Sequence, residues 1–316
     1  MLAATALLVL APAGSAAGYP RARACVYAAH SHRTMQSFER MVGRTLDCAV
    51  VFNNAAPNWH YWERPWFVSH NDPDLNWARW ATAPHTSRLL VISQSLTPGS
   101  VLGGDWRTAG ARGRYDAHFT ALARNLVAAG LGRSVIRLAH EANYGGSTNP
   151  VGARRSQQLA WRRFWRRAVR AMRRVPGAHF RFDWTVNAAF DPIPLARIYP
   201  GNDVVDIVGV DAYDAGVRAT RGRWHALASR PVAIDDVARF AARHHKPLSI
   251  PEWGLMPRGR QWLGGGDDPA YVAGIDRVLR TRRVAYQAYF YAHDTAAQLR
   301  RSPRALRRVR ALYRHR

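Results

Sequence analysis

The chain has 316 residues, enough for one large domain or two ordinary ones, and 47% of them are apolar, which excludes an intrinsically disordered protein. Two cysteines exclude a disulfide-rich scaffold, and no apolar run reaches the roughly 18 residues of a membrane-spanning helix. The 46 Lys and Arg residues against 21 Asp and Glu give a formal charge of +25, and Lys246 is the only lysine. A surface this basic is expected to attract polyanions.

The first 17 residues have the pattern of a secretory signal peptide. Residues 2–10 are apolar apart from Thr5, and small residues stand at Ser15 and Ala17, as signal peptidase requires. We therefore expect residues 1–17 to be removed and residues 18–316 to form the secreted domain; a buried N-terminal helix is the alternative. Export would allow a disulfide between Cys25 and Cys48, at the starts of the first two predicted strands, and two buried free thiols are the alternative.

Strand and helix patterns then alternate along the chain. The predicted strands are Cys25–Ala28, Ala49–Asn53, Leu89–Ser93, Val135–Leu138, Phe180–Trp184, Ile207–Val210, Leu248–Ile250 and Ala285–Phe290. The predicted helices are Thr34–Val42, Asn76–Ala81, Tyr115–Ala129, Ser156–Val175, Ile234–His244, Pro269–Thr281 and Arg304–Tyr313. Eight strand–helix units in about 300 residues predict an α/β fold, a single-domain (β/α)8 TIM barrel.

The helix predicted over Ser156–Val175 shows how the positive charge is distributed. Trp161, Trp165 and Met172 recur at helical spacing on one stripe, and seven arginines fill the rest of the surface. A nucleic-acid interface would have this pattern. The solvated outer face of a barrel helix explains it equally well, and we expect no specific nucleic-acid partner.

Two glutamates follow predicted strands at the end where barrel enzymes place their active sites. Glu141 follows the fourth strand and Glu252 follows the seventh. A retaining glycoside hydrolase uses two carboxylates in one pocket. One donates a proton and the other attacks the anomeric carbon, and the two carboxyl groups lie about 5–5.5 Å apart. A surface carboxylate is the alternative for either residue alone.

Four segments resemble glycoside hydrolase family 26, the β-mannanases and related endo-β-glycanases of the clan of retaining (β/α)8 hydrolases. They occur in the order of the family and span most of the chain from the fourth strand onward. The segments are Arg137–Asn143 (RLAHEAN), Tyr199–Tyr213, Pro251–Gly254 (PEWG) and the run from Gly264 to Tyr271 that is followed by Val284–Phe290.

The resemblance implies a role for each matching residue. Glu141 would be the acid/base and Glu252 the nucleophile. His140 would hydrogen-bond near the −1 sugar or the nucleophile, and Tyr213 would donate its hydroxyl to Glu252. Arg137 would be a cation behind the nucleophile; from the residues alone, an arginine in an apolar strand must find a carboxylate.

Aromatic and amide side chains near strand ends are candidates for sugar binding, because aromatic rings stack on the apolar faces of sugars. A Trp-rich loop follows the second strand, and a hydrophobic lid is the alternative interpretation of that loop. The substrate-binding or supporting candidates are Trp59, Asn143, Trp184, Asn187, Trp253 and Tyr289.

The sequence therefore predicts a secreted retaining endo-β-glycosidase acting on a plant or microbial β-glycan, with β-mannan as the first choice. The alternatives are a catalytically weak glycan-binding barrel and a cell-wall or polyanion-binding protein. The histidine pairs lack the cysteine or carboxylate partners of a zinc site, so we expect no metal and no cofactor. The expected partners are a polysaccharide and an anionic cell surface, and we expect a monomer.

Overall fold

The computed structural model describes residues 22–101, 103–188, 193–219, 221–259 and 261–314. Eight parallel strands close into one barrel in chain order, each strand pairing with the next and the last with the first. The strands are β1 (Arg23–Tyr27), β2 (Cys48–Asn53), β3 (Leu89–Gln94), β4 (Val135–Leu138), β5 (Arg181–Asn187), β6 (Ile207–Asp214), β7 (Leu248–Leu255) and β8 (Val284–Phe290). The predicted single-domain (β/α)8 barrel is confirmed. The predicted signal peptide lies outside the described residues.

Helices connect the strands on the outside of the barrel. They are α1 (His32–Val42), α2 (Trp59–Glu63), α3 (Trp77–Ala81), α4 (Trp106–Ala111), α5 (Asp116–Ala128), α6 (Arg155–Arg173), α7 (Leu195–Ile198), α8 (Arg223–Ala228), α9 (Ile234–Arg243), α10 (Pro269–Thr281), α11 (His293–Arg300) and α12 (Pro303–Arg314). All seven predicted helices are present. The additional ones, α2, α4, α7, α8 and α11, have four to eight residues each, too few to repeat a helical pattern. No described helix is long and apolar enough to span a bilayer.

Both faces of the sheet are buried, and successive residues alternate between them. In β2, Cys48 and Val50 belong to a small apolar cluster, and Ala49 and Val51 belong to the larger one that also contains the helices. The small cluster therefore fills the barrel interior, and the large one lies between strands and helices. This double burial explains why the strands are nearly continuous apolar runs.

The positive charge of α6 lies on its solvent face. Trp161, Trp165 and Met172 are fully buried, whereas Arg167 and Arg170 are exposed. These two arginines pair with aspartates of neighbouring elements at 2.5 and 3.0 Å. Exposed ion pairs of this kind contribute at most about 1 kcal/mol each. The outer-face interpretation of this helix is therefore the one that the structure supports.

A disulfide joins Cys25 of β1 to Cys48 of β2, with the two Cα atoms 4.4 Å apart. Both residues are fully buried at the base of the barrel interior. The bond closes a loop that contains α1, and the sequence separation is 23 residues. The disulfide therefore reduces the conformational freedom of the unfolded chain and keeps β1 and β2 close together.

Replacing both cysteines by alanine is expected to lower the free energy of unfolding by about 3 kcal/mol, because a loop of this length regains its freedom in the unfolded chain. Urea denaturation of the oxidised protein measures the change. Wild type that has been unfolded, reduced and alkylated serves as the control and should lose a similar amount. A loss below about 1 kcal/mol in the double variant would contradict the prediction.

Candidate active site

The two predicted glutamates meet at the carboxyl ends of the strands. Glu141 lies three residues beyond β4, in a turn where Ala139 and Glu141 both have positive φ angles, 49° and 54°. The amide of Glu141 donates to the carbonyl of Thr185 in β5 at 2.9 Å, which fixes the turn. Glu252 lies within β7, because that strand continues five residues beyond the predicted end at Ile250.

Three carboxylates converge here. One oxygen of Glu141, one of Asp211 and one of Glu252 all lie within 4.8 Å of one another. Asp211 and Glu252 are buried, and Glu141 is half-buried. Three negative charges this close require a cation or protons.

Arg137 is that cation, and it fixes Glu252. Its guanidinium donates to one oxygen of Glu252 at 2.6 Å, to Ser93 Oγ at 3.0 Å, and to Asp211. The other oxygen of Glu252 accepts from the Tyr213 hydroxyl at 2.7 Å. Burial alone would lower the pKa of Arg137, but Asp211 and Glu252 outweigh it and raise that pKa, so Arg137 remains charged. Each oxygen of Glu252 thus receives a donor that favours negative charge.

Glu141 has a different environment. Burial and the negative charge of Glu252 raise the pKa of Glu141 to about 7. The side-chain amide of Asn187 donates to Glu141 at 2.6 Å. Asn143 holds Asn187 in turn, accepting from its backbone amide at 2.8 Å and donating to its carbonyl at 2.9 Å. Near neutral pH, Glu141 can therefore hold a proton beside a carboxylate that is held by two donors.

His140 is kept neutral. Burial and the charge of Arg137 lower its pKa well below the usual range. Its ring lies edge-on to Phe52, with 5.4 Å between centroids. Nδ1 is buried and has no hydrogen-bond partner among the described residues. The structure therefore shows no hydrogen bond between His140 and Glu252 among the described residues.

The prediction that Trp184, Trp253 and Tyr289 contact sugar is wrong. All three side chains are fully buried in the cluster between sheet and helices. Trp184 packs edge-on against Tyr199, and Trp253 packs against Tyr289 with 4.9 Å between centroids. These residues support the barrel wall from outside.

Trp59 packs against other aromatic side chains. Its ring stacks on His118 with 3.8 Å between centroids, and Trp62 and Tyr115 cover its edges at 5.1 and 5.2 Å. Trp59 therefore lies in the packing between α2 and α5, where it is half-buried. A sugar subsite at Trp59 stays a prediction.

The same loop nevertheless opens an aromatic cavity of about 350 Å³ beside the carboxylates. Its walls include Tyr61, Trp66, Phe52 and His30. Tyr61 is 57% exposed, and burial lowers the pKa of His30 to about 4, so that histidine is neutral. Phe52, which contacts His140, joins this cavity to the catalytic centre.

Sequence reasoning missed Asp211 and Asp183. Asp211 pairs with Arg137, and Asp183, deeper in the barrel, accepts from Ser249 and Tyr286 at 2.6 Å each. Both are charged residues within apolar strands, the same signal that singled out Arg137. The position of Asp211 could have been predicted as a carboxylate that such an arginine requires.

Among the described residues, the carboxylates of Glu141, Asp211 and Glu252 are close enough together to hold a metal ion. Arg137 already donates to Asp211 and Glu252. The positive charge that a metal would supply is therefore supplied by this side chain.

Replacing Arg137 by methionine is expected to lower the free energy of unfolding by about 3–5 kcal/mol, because Asp211 and Glu252 would remain buried without their partner. Urea denaturation of purified protein measures the loss. Adding Asp211→Asn to the variant removes one of the two orphaned charges and should recover part of it. A change below about 1 kcal/mol would contradict the assignment of Arg137 as the buried counter-charge.

The barrel, the facing glutamates and the donors around them are those of a glycoside hydrolase. A family model described as Glycosyl hydrolase family 26 matches residues 123–255, which include both glutamates. This segment therefore belongs to that family, and the family predicted from the motifs is confirmed.

Solved structures with the same fold include three enzymes of this family. The catalytic domain of a Bacillus sp. JAMB-750 endo-β-1,4-mannanase has a TM-score of 0.64 at 16% identity, over 93% of this chain and 86% of its own. A modular Cellulomonas fimi endo-β-1,4-mannanase has 0.60 at 16%, over 85% and 65%. A Bacteroides ovatus β-mannanase has 0.56 at 12%, over 88% and 82%. No curated protein matches the sequence significantly.

Proposed function

We propose that this protein is a secreted, retaining endo-β-glycosidase whose first-choice substrate is β-mannan. The observation that carries the proposal is the pairing of Glu141 and Glu252. Their oxygens lie within 4.8 Å, close to the roughly 5–5.5 Å between carboxyl groups that double displacement needs. The similarity to the two endo-β-1,4-mannanases supports the choice of substrate.

In the first step, Glu141 donates its proton to the glycosidic oxygen while Glu252 attacks the anomeric carbon. The leaving sugar departs with that proton, and a glycosyl ester forms on Glu252. In the second step, Glu141 removes a proton from water, which attacks the same carbon and releases Glu252. Arg137 and Tyr213 stabilise the charge that returns to Glu252, and Asn187 orients Glu141.

The test is release of reducing sugar from β-mannan, mixed-linkage β-glucan, xylan and an acidic glycan, with wild type beside Glu141→Ala and Glu252→Ala. We expect wild type to cleave β-mannan and both variants to be inactive. Equal activity of all three proteins would contradict the proposal. Binding of β-mannan without cleavage by wild type would favour the glycan-binding alternative.

The pH profile follows from the raised pKa of Glu141. The proton that Glu141 must donate is present below about pH 7 and lost above it, because burial and Glu252 raise its pKa to about 7. On mannan oligosaccharides, kcat/KM should fall about tenfold per pH unit above that value. An alkaline limb centred at pH 4 to 5, the ordinary range of glutamate, would contradict this assignment.

Export is part of the proposal. The Cys25–Cys48 disulfide is consistent with an oxidising compartment. N-terminal sequencing of protein recovered from the culture medium should begin at Gly18. Cell-retained protein that begins at Met1 would contradict cleavage after Ala17.

A further inference from the structure

A second cavity, of about 480 Å³, lies among the loops that follow β6 and β7. These strands carry Tyr213 and Glu252, so the cavity opens on the catalytic end of the barrel. Four arginines line it: Arg218, Arg223, Arg258 and Arg304. We call it the arginine cavity.

One of the four arginines is structural. Arg223 is buried and donates to Asp214 at 2.5 Å and to the carbonyl of Leu263 at 2.7 Å. These bonds tie the loop after β6 to the loop after β7. Arg223 therefore forms the floor of the arginine cavity and has little capacity left for a ligand.

The other three arginines keep most of their donors free. Arg258 uses Nε for the carbonyl of Gly265 at 3.0 Å, which leaves both terminal nitrogens available. The guanidinium groups of Arg218 and Arg304 have no hydrogen bond or ion pair to any residue that the structure describes. Guanidinium forks of this kind match the two oxygens of a carboxylate.

The two aspartates that line the cavity are engaged elsewhere. Asp267 accepts from the backbone amides of Arg304 and Ala305 at 3.2 and 2.7 Å, at the start of α12. Asp268 accepts from the amides of Ala270 and Tyr271 at 2.9 and 3.0 Å, at the start of α10. Both carboxylates serve as helix caps, Asp268 also lies 3.7 Å from Arg223, and neither forms an ion pair with Arg218, Arg258 or Arg304 in the described part of the chain.

An exposed aromatic ring lies in the same loop. Trp262 precedes Leu263 of the cavity wall and is 37% exposed. Its indole N–H donates to Asp294 at 2.9 Å, and its carbonyl accepts from the amide of Gly216 at 2.9 Å. The ring is therefore held in place while part of its surface faces solvent. Trp262 shares its loop with Arg258 and Leu263 of the cavity wall, and an aromatic ring together with guanidinium donors is suited to a sugar that carries negative charge.

We propose that the arginine cavity binds the carboxylate of a uronic-acid unit on the glycan substrate, with the sugar ring beside Trp262. The proposal rests on the proposed glycan-hydrolase function and extends the glycans that the protein binds from neutral β-mannan to chains that carry uronic-acid units. It also gives part of the +25 charge a specific use.

The test compares binding of two hexasaccharides, β-1,4-mannohexaose and the β-1,4-mannuronate hexasaccharide, which differ only in having a carboxylate in place of each CH₂OH group. Calorimetry uses the full chain with Glu141→Gln, so that neither probe is consumed. Removing the two guanidinium groups in Arg258→Ala/Arg304→Ala should weaken mannuronate binding about tenfold or more and leave mannohexaose binding unchanged. The matched control, Arg307→Ala/Arg308→Ala, removes two exposed charges from the same helix and should change both affinities less than about twofold.

Three results would overturn the proposal. The first is an equal loss of mannuronate affinity in the two double variants, and the second is an equal loss of affinity for the two sugars in Arg258→Ala/Arg304→Ala. The third is binding of a single-stranded DNA dodecamer that depends on these arginines to the same extent. The last would identify a general polyanion surface. Because binding is measured without turnover, these outcomes are independent of whether wild type hydrolyses β-mannan.

Discussion

Glu252→Gln is expected to reduce hydrolysis of β-mannan by at least about 10⁴-fold, the largest effect of any single change in this chain. The amide has nearly the shape of the carboxylate but cannot form the glycosyl ester. Its NH₂ group would also face one of the donors that now serve the carboxylate, either Arg137 at 2.6 Å or Tyr213 at 2.7 Å. Reducing-sugar release and single-turnover kinetics measure the loss.

Glu63→Gln is the matched control for this experiment. Glu63 is a half-buried glutamate at the end of α2 that pairs with His118, outside the catalytic centre. The same chemical change there should leave activity within about twofold. A Glu252→Gln protein that is folded by circular dichroism and keeps more than about 1% of wild-type activity would show that Glu252 is not the nucleophile.

Glu141→Gln is expected to reduce hydrolysis of β-mannan by about 10²–10⁴-fold, the usual contribution of a positioned acid/base. The loss should depend on the leaving group. An aryl β-mannoside with an acidic phenol needs no proton for departure, so its burst of phenol release should persist while the second step becomes slow. Added azide needs no general base and should restore turnover by forming a β-mannosyl azide.

Asn187 provides a structural control for the acid/base assignment. Its side chain donates to Glu141 at 2.6 Å, and Asn187→Ala should lower activity less than Glu141→Gln because the proton donor remains. Loss of the aryl-mannoside burst in Glu141→Gln, or no response to azide, would contradict the role given to Glu141.

The strands of this barrel could be predicted from sequence, but the ends of two catalytic strands could not. The polar residues Asp211 and Glu252 suggested that β6 and β7 end just before them. In the structure these strands continue to Asp214 and Leu255. The reason is Arg137, which pairs with both carboxylates inside the barrel. A buried counter-charge thus removes the usual signal for the end of a strand.

The catalytic pair could be predicted because each glutamate occurs in a motif. The aromatic residues proposed to bind sugar were chosen only because they lie near strand ends, and the alternation of side chains along a strand shows why that criterion fails. Adjacent strand residues face opposite sides of the sheet, so a tryptophan directly after Glu252 must point toward the helices, as Trp253 does. The same alternation places Trp184 outside, next to Thr185, which faces Arg137 inside. The aromatic cavity depends instead on loops from β1 and β2, whose meeting only the closed barrel determines.

Double displacement at a β-linked sugar fixes the anomeric form of the first product. Proton NMR spectra recorded during the first minutes of mannohexaose hydrolysis by wild-type protein distinguish the two possible outcomes before mutarotation. Double displacement predicts that the new reducing ends appear in the β form and convert to α only afterwards. Initial release of the α form would mean that water attacks directly, and it would contradict a glycosyl ester on Glu252.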